Sequence, residues 1–385
     1  MLELMCLCIK CGFPNTEDSR VSKLTYLGKI RKKSELIEMS FFEKWKAVAA
    51  MIFVELALAV VNALFKKVLS RGTNQLVITT YRFSLAAVIL TPIACFLERN
   101  SISNLTGRVV SSLFLSALLG GTLTQYFFLI GLKYTSTTFS CAFINMVPIN
   151  TFIMALLLGQ EKINMKCKSG KAKAFGTLCC LSGALILILY KGIPLINQSA
   201  PEVEVNHNIK GWIIGSSFLF AGSLVWSSWF LIQARIGKDY PYQYSSTAIM
   251  SFLGAIQSAI LSLVIDRNTS TWFLKGTLEI STVIYSGVVG SGLCYVVMSW
   301  CVKQKGAVFT SAFSPFIQIF AAVIDISILH EQIHLGSILG SILVIIGLYV
   351  LLWGKSKDAE NMKTSPTTEK NEQAILPITS SPSHT

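Results

Sequence analysis

A motif near the C-terminal end of the sequence has the spacing of a catalytic zinc site. His330-Glu331-Gln332-Ile333-His334 fits the HExxH pattern, in which two histidines four residues apart on a helix bind zinc and the glutamate acts as base. A catalytic zinc needs a third protein ligand, and the remaining histidines are His207 and His384. We therefore interpret the HExxH pattern as a chance match. A membrane metalloprotease is the alternative hypothesis.

Other polar residues lie inside long apolar runs, where an ionisable side chain is costly and usually faces a cavity or a partner. Glu55 and Asn62 are seven residues apart in one run, and Gln318 and Asp325 in another. Seven residues make about two helical turns, so the members of each pair share a helix face. We expect these faces to line a substrate cavity or coupling site together with Arg82, Gln125, Asn145, Pro148, Trp226, Tyr285, Tyr295 and Pro315.

Each of these residues also has a structural interpretation. Asn and Gln commonly hydrogen-bond between helices, and Trp and Tyr commonly pack. Arg82 lies about 9 Å into its helix at 1.5 Å per residue, so it either snorkels to the interface or binds an anionic group. Glu55 and Asp325 favour a functional role such as proton coupling, because an unpaired carboxylate has few structural uses in lipid. Pro148 and Pro315 are expected to interrupt their helices and free carbonyls that line a cavity.

The apolar runs determine the fold class. The sequence is 52% hydrophobic and 14% charged, against about 25% charged in soluble domains. A membrane-spanning helix needs about 20 apolar residues, and lipid leaves backbone groups no partner outside the helix. We predict an all-α polytopic membrane protein with ten transmembrane helices, at Ala47–Phe65, Leu76–Leu97, Val109–Leu132, Phe139–Gly159, Ala174–Tyr190, Trp212–Ile232, Ser245–Ile265, Ile280–Val302, Ala307–Leu329 and Leu335–Trp353.

The net charge of +13 has a distribution that indicates membrane orientation. With the N-terminus in the cytoplasm, most Lys and Arg residues fall in cytoplasmic segments, as the positive-inside rule requires. Both termini are therefore predicted to be cytoplasmic, and no nucleic-acid partner is needed to explain the charge. The candidate glycosylation sites Asn197 and Asn268 then fall in extracytoplasmic loops.

The two halves of the sequence resemble each other at an offset of about 170 residues. Phe139-Ser140-Cys141-Ala142-Phe143 returns as Phe309-Thr310-Ser311-Ala312-Phe313, and Glu161 returns as Glu331 without flanking histidines at the first site. Five helices in each repeat place the second repeat upside down, an arrangement typical of transporters. Further pairs are Glu98 with Asp266, Gly121 with Gly290, Tyr126 with Tyr295, Gly176 with Gly340, and Gly183 with Gly347.

These repeats predict five regions along the chain. The first repeat and the second repeat are separated by an extracytoplasmic loop and flanked by a cytoplasmic N-terminal segment and a disordered cytoplasmic tail. The regions are, in order, residues 1–44, 45–192, 193–209, 210–355 and 356–385.

Several short motifs together resemble one plant family. They include Gly72-Thr73-Asn74 with Tyr81-Arg82, Gly131-Leu132-Lys133-Tyr134, Asn145-Met146-Val147-Pro148, Tyr240-Pro241, and Leu352-Trp353-Gly354-Lys355. The chain resembles the nodulin-21-like, "walls are thin"-related (UMAMIT) transporters of the EamA drug/metabolite superfamily. The resemblance implies ten helices and movement of amino acids, with auxin or related compounds in some members, across plasma membrane or tonoplast. Ala307 departs from this pattern, since the family usually has proline there.

Taken together, the sequence predicts a secondary carrier or facilitator without a cofactor. It contains no Walker A sequence and no Gly-rich nucleotide loop, which excludes ATP-driven pumping by this chain alone. The expected partners are a small-molecule substrate and the lipid bilayer. The cavity is expected to be lined by helices one, two, three, four, six, eight and nine. A non-transporting receptor or scaffold is a third hypothesis.

Overall fold

The structure is a computed structural model, and it divides the chain into two units, Met1–Ala50 and Met51–Thr385. In the first unit, residues 45–50 are described and begin a helix. Apart from the start of this helix, everything below concerns the second unit. The residues described across the chain are 45–99, 105–135, 140, 143–160, 167–189, 209–266, 269–274, 276–324, 339–340, 342–354 and 356–357.

Most of the described residues are helical, as expected for a backbone that must satisfy its own polar groups in lipid. Six described helices, α1, α2, α3, α6, α7 and α8, are long and apolar enough to cross a membrane, and α4, α9 and α10 are shorter apolar helices. The bounds are α1 Trp45–Leu69, α2 Gln75–Leu97, α3 Gly107–Tyr134, α4 Phe143–Leu157, α5 Lys168–Leu189, α6 Ile209–Asp239, α7 Gln243–Ile265, α8 Thr277–Lys305, α9 Ala307–Ser311 with Ser314–Ile324, and α10 Ile342–Gly354.

Two of the long helices contain a π-helical segment at repeat-related positions, Leu118–Leu123 in α3 and Ser286–Cys294 in α8. Both segments contain glycines at which other helices approach closely. A Cβ on Gly120 would lie 2.2 Å from Trp229 Cδ1, and one on Gly287 would lie 2.9 Å from Leu85 Cδ2. π-helical turns often occur at functional sites, and here both lie where other helices pack closely.

The contact between α5 and α10 is reciprocal between repeat-related glycines. A Cβ on Gly176 would lie 2.6 Å from Gly347 O, and a Cβ on Gly183 would lie 3.0 Å from Gly340 O. Gly176 pairs with Gly340 in the repeat, and Gly183 pairs with Gly347. Gly176 therefore contacts the repeat counterpart of Gly183, and Gly183 contacts the repeat counterpart of Gly176. Two-fold symmetry produces this pattern.

A second reciprocal contact joins α2 to α7, which pack along each other. Glu98, just after α2, accepts hydrogen bonds from the backbone N–H groups of Tyr244 (3.2 Å) and Ser245 (2.7 Å) at the start of α7. Its repeat counterpart Asp266, just after α7, accepts a bond from Asn74 Nδ2 at the start of α2 (3.4 Å). The end of each helix is therefore tied to the beginning of the other.

Candidate functional site

A cavity of about 430 Å³ lies among the helices of the second unit. Its volume is within the roughly 300–1,000 Å³ typical of small-molecule sites. The described lining comes from α1, α2, α3, α4, α6, α8 and α9, together with Ser140, and these are the seven helices predicted from the sequence. The lining residues are Leu58, Val61, Asn62, Ala63, Phe65, Lys66, Leu69, Gln75, Arg82, Thr124, Gln125, Phe128, Leu132, Ser140, Ile144, Trp226, Tyr295, Ile317 and Ala321.

The cavity reaches the membrane side that holds the connection between α1 and α2. Leu69 ends α1, Gln75 begins α2, and both line the cavity. The Gln75 Nε2 group donates a hydrogen bond to Gln125 Oε1 (3.0 Å), which joins α2 to α3 at this end. Asn62 also lines the cavity. We call the end of the cavity that holds the paired amides of Gln75 and Gln125 the mouth.

Arg82 is a buried cation in the cavity wall. Its side chain is 5% exposed, so it does not snorkel to the membrane interface. The guanidinium carbon lies 5.4 Å from the centroid of the Phe65 ring and 4.9 Å from that of Phe83. The Tyr295 side chain also lies beside it. The Nε–H group has no hydrogen-bond partner among the described residues.

Aromatic rings close the end of the cavity opposite the mouth. Trp226 and Trp229 stack at 4.9 Å with an interplanar angle of 8°, and both meet the Tyr295 ring edge-on. The Tyr295 hydroxyl donates a hydrogen bond to Gly120 O (3.1 Å), which lies in the π-helical segment of α3. Since Tyr295 directly follows the π-helical segment of α8, this bond links the two π segments.

Beyond these rings, buried polar side chains continue the contact between α3, α6 and α8. Ser116 Oγ donates to Gln233 Oε1 (3.2 Å), and Gln233 Nε2 donates to Ser299 Oγ. Gln233 is 2% exposed, and Ser116 is fully buried. We call the layer formed by Ser116, Gly120, Trp229, Gln233, Tyr295 and Ser299 the closed end.

Glu55 lies outside the cavity lining. It is one helical turn beyond Leu58, on the side away from the mouth, and it is 3% exposed. No hydrogen bond or ion pair joins its carboxylate to another residue in the described part of the chain. The coupling role expected for Glu55 stays a prediction.

Other predicted site residues have structural contacts instead. Asn145 Nδ2 donates to Gln318 Oε1 (2.5 Å), so these two amides join α4 to α9. Pro148 and Pro315 are buried near the starts of the helical segments Val147–Leu157 and Ser314–Ile324, directly after short turns. Neither proline belongs to the described cavity lining, nor do the two amides.

Tyr285 is half-buried and packs against an apolar cluster of α1 and α2 residues, Val61, Phe65, Val68 and Ile78. The sequence predictions for Asp325, Asn197, Asn268 and the segment from His330 to His334 fall outside the described residues. Within the described residues, no group of three or more His, Cys, Asp or Glu side chains is placed to hold a metal ion.

The structure therefore brings five predicted residues into one cavity: Asn62, Arg82, Gln125, Trp226 and Tyr295. Sequence reasoning missed Gln75, Phe65 and Phe83. Gln75 lies one residue before the predicted apolar run Leu76–Leu97 and was therefore not considered. The two phenylalanines had no signal of their own, because their contact with Arg82 depends on how α1 and α2 pack.

Comparison with known proteins shows the family to which the chain belongs. Residues 45–189 and 213–353 each match the EamA-like transporter family. The chain belongs to the EamA-like transporter family. Among its relatives in Arabidopsis thaliana, one WAT1-related protein is 52% identical over 82% of this chain and 88% of its own. Another WAT1-related protein is 49% identical over 81% of this chain and 87% of its own.

A solved crystal structure shares the fold of this EamA-like transporter. It covers 80% of this chain and 96% of its own chain, with a TM-score of 0.57 and 14% identity. At that identity the similarity shows the fold alone. The predicted resemblance to plant "walls are thin"-related transporters is confirmed by the relatives. The protein is a multi-pass membrane transporter and not an enzyme, so the metalloprotease hypothesis is set aside.

Proposed function

We propose that this chain is a secondary carrier or facilitator that moves small organic metabolites by alternating access. Amino acids are the first candidates, and auxin or related compounds are the second. The observation that carries the proposal is the cavity of about 430 Å³, which has one polar mouth and one closed end. A carrier needs such a site, since its substrate must be reachable from one side of the membrane while the other side is sealed.

The proposed architecture is ten transmembrane helices in two inverted five-helix repeats, residues 45–192 and 210–355. The reciprocal contacts of Gly176 with Gly347 and of Gly183 with Gly340 support it. The paired contacts made by Glu98 and Asp266 support it independently. Two halves that are related in this way can exchange conformations, which gives a second state of similar energy with the opposite end open.

We assign the mouth to the extracytoplasmic side, with both termini in the cytoplasm and the plasma membrane or tonoplast as location. The excess of basic residues in the predicted cytoplasmic segments supports this orientation. Asn197 and Asn268 then become candidate glycosylation sites on the same side as the mouth. In this orientation the structure corresponds to an outward-facing state.

Transport is tested with purified protein in liposomes. Uptake and efflux of labelled amino acids and indole-3-acetate are measured with and without a pH gradient. Flux of at least one of these compounds, absent from protein-free liposomes, is expected. If no compound in the panel moves in either direction, the proposed function is wrong.

Proton coupling through Glu55 is part of the proposal. The buried carboxylate, just beyond the cavity, is positioned to exchange protons as the two ends open in turn. We expect wild-type uptake to rise with a proton gradient and Glu55→Gln to remove that rise completely, because an amide cannot carry a proton. The exposed carboxylate of Asp239 provides the matched control, and Asp239→Asn should keep the response. An unchanged gradient response in Glu55→Gln would exclude this role.

A further inference from the structure

We propose that Arg82 binds the carboxylate of the transported molecule and thereby selects carboxylic acids over the corresponding amides and amines. This inference rests on the proposed function, since it names a chemical feature of the substrate. It concerns one side chain in the cavity wall, and its chemistry follows from burial, charge and the groups around it.

Arg82 lacks a counter-charge in the described wall of the cavity. Arg82 is 5% exposed, and a buried charge is costly unless it is paired. The described lining of the cavity contains no Asp or Glu. Glu55 is also buried, but no ion pair joins it to Arg82 in the described residues. An anion that enters the cavity would supply the partner that the described wall does not.

Two aromatic rings hold the guanidinium of Arg82. Phe65 and Phe83 lie within 5.4 Å and 4.9 Å of its guanidinium carbon, close enough for cation–π attraction. Such contacts stabilise the cation through the ring faces and leave N–H donors unused. The Nε–H group is buried and without a hydrogen-bond partner among the described residues. The Arg82 side chain lines the cavity, and a carboxylate that enters it can accept two parallel N–H bonds from a guanidinium.

Arg82 shares the cavity with apolar and aromatic side chains. Trp226, Phe128 and Leu58 line the same cavity and offer surfaces for the carbon skeleton of a substrate. The amide of Asn62 provides a dipole that an ammonium group can meet, but the described lining provides no negative charge for it. The carboxylate is therefore the required feature, whereas the amino group is tolerated. Amino acids and deaminated acids both satisfy this rule.

The test uses four ligands that share one skeleton. Phenylalanine and 3-phenylpropionate carry the carboxylate, phenylalaninamide replaces it with an amide, and phenethylamine lacks it. Equilibrium binding of each radiolabelled ligand is measured with the purified full chain in detergent, and flux is measured separately in liposomes. We expect wild-type protein to bind both carboxylates and to bind the amide and the amine about ten- to a hundredfold more weakly, the range for losing charge-assisted hydrogen bonds.

Arg82→Gln should remove this discrimination. Its affinity for the two carboxylates should fall by about ten- to a hundredfold, while the amide and the amine should change little. Arg82→Lys keeps the charge as a point donor and should retain part of the preference. Arg71→Gln makes the same change at an exposed arginine outside the cavity lining, and it should preserve wild-type selectivity.

The outcomes separate this proposal from the proposed function. Equal wild-type binding of phenylalanine and phenylalaninamide would overturn the assignment, as would an unchanged preference in Arg82→Gln or no binding of either carboxylate. Selective binding without flux would contradict the proposed transport of this class and leave the role of Arg82 standing. Retained binding of the amide by Arg82→Gln would show that the variant is folded.

Discussion

The hydrogen bond from Tyr295 to Gly120 holds the closed end together, so removing it should favour the alternative state. Tyr295→Phe deletes the donor and keeps the ring contacts with Trp226 and Trp229. Hydrogen bonds between membrane helices contribute about 0.6 kcal/mol on average and at most about 1.7. The equilibrium should therefore shift towards opening of the closed end by roughly three- to twentyfold, at tenfold per 1.4 kcal/mol.

Cysteine labelling can measure this shift. Ala117 is 2% exposed and lies one turn before Gly120 in α3, so Ala117→Cys should react with a thiol reagent only when the closed end opens. Its labelling rate, above that of the parent protein, should rise by roughly three- to twentyfold in the Tyr295→Phe background. Tyr126, the repeat counterpart of Tyr295, has no hydrogen bond to a described residue and supplies the matched Tyr126→Phe control. Equal labelling rates in the two backgrounds would refute the reasoning.

Two further predictions concern the reciprocal contacts. A Cβ at Gly347 would lie 2.6 Å from the backbone nitrogen of Cys180, so Gly347→Ala should lower the melting temperature in detergent through about 1–3 kcal/mol of overpacking. Gly107→Ala, where nothing lies within 4 Å, is the control, and an equal loss in both variants would contradict the close-contact account. Glu98→Ala removes the acceptor for the first N–H groups of α7 and should destabilise the protein by about 0.5–2 kcal/mol, measured by the same melting assay. An unchanged melting temperature would show that water replaces the carboxylate at no cost.

The bounds of several helices could be predicted from hydropathy because polar residues stand next to the apolar runs. The predicted Leu76–Leu97 is observed as Gln75–Leu97, and the predicted Ser245–Ile265 as Gln243–Ile265. The sixth helix was predicted to end at Ile232, but it continues to Asp239. Charged residues end an apolar run without ending a helix, so hydropathy finds the membrane boundary better than the helix end.

Part of the site could be predicted from the same apolar runs, because polar residues stand out in them. Arg82, Asn62 and Gln125 were conspicuous because polar residues are rare in apolar runs, and all three line the cavity. Glu55 was conspicuous for the same reason, yet it lies one turn outside. The π-helical segments and the contact of Phe65 with Arg82 were not predicted, because hydropathy and residue spacing carry no signal for a local change of helix type or for the way in which α1 and α2 pack.

The two halves share the helix contacts described above, but they contribute different residues to the cavity. α2 and α7 have equal lengths of 23 residues, and in that frame Arg82 corresponds to Met250. The Met250 sulfur lies 3.3 Å from Ser116 Oγ near the closed end, and its side chain is uncharged, unlike that of Arg82. Likewise Tyr295 bonds to Gly120, whereas Tyr126 has no such bond in the described structure. In the proposed mechanism, shared features such as the paired glycines would let the halves exchange conformations, and the unshared cation on α2 would keep one binding point throughout the exchange.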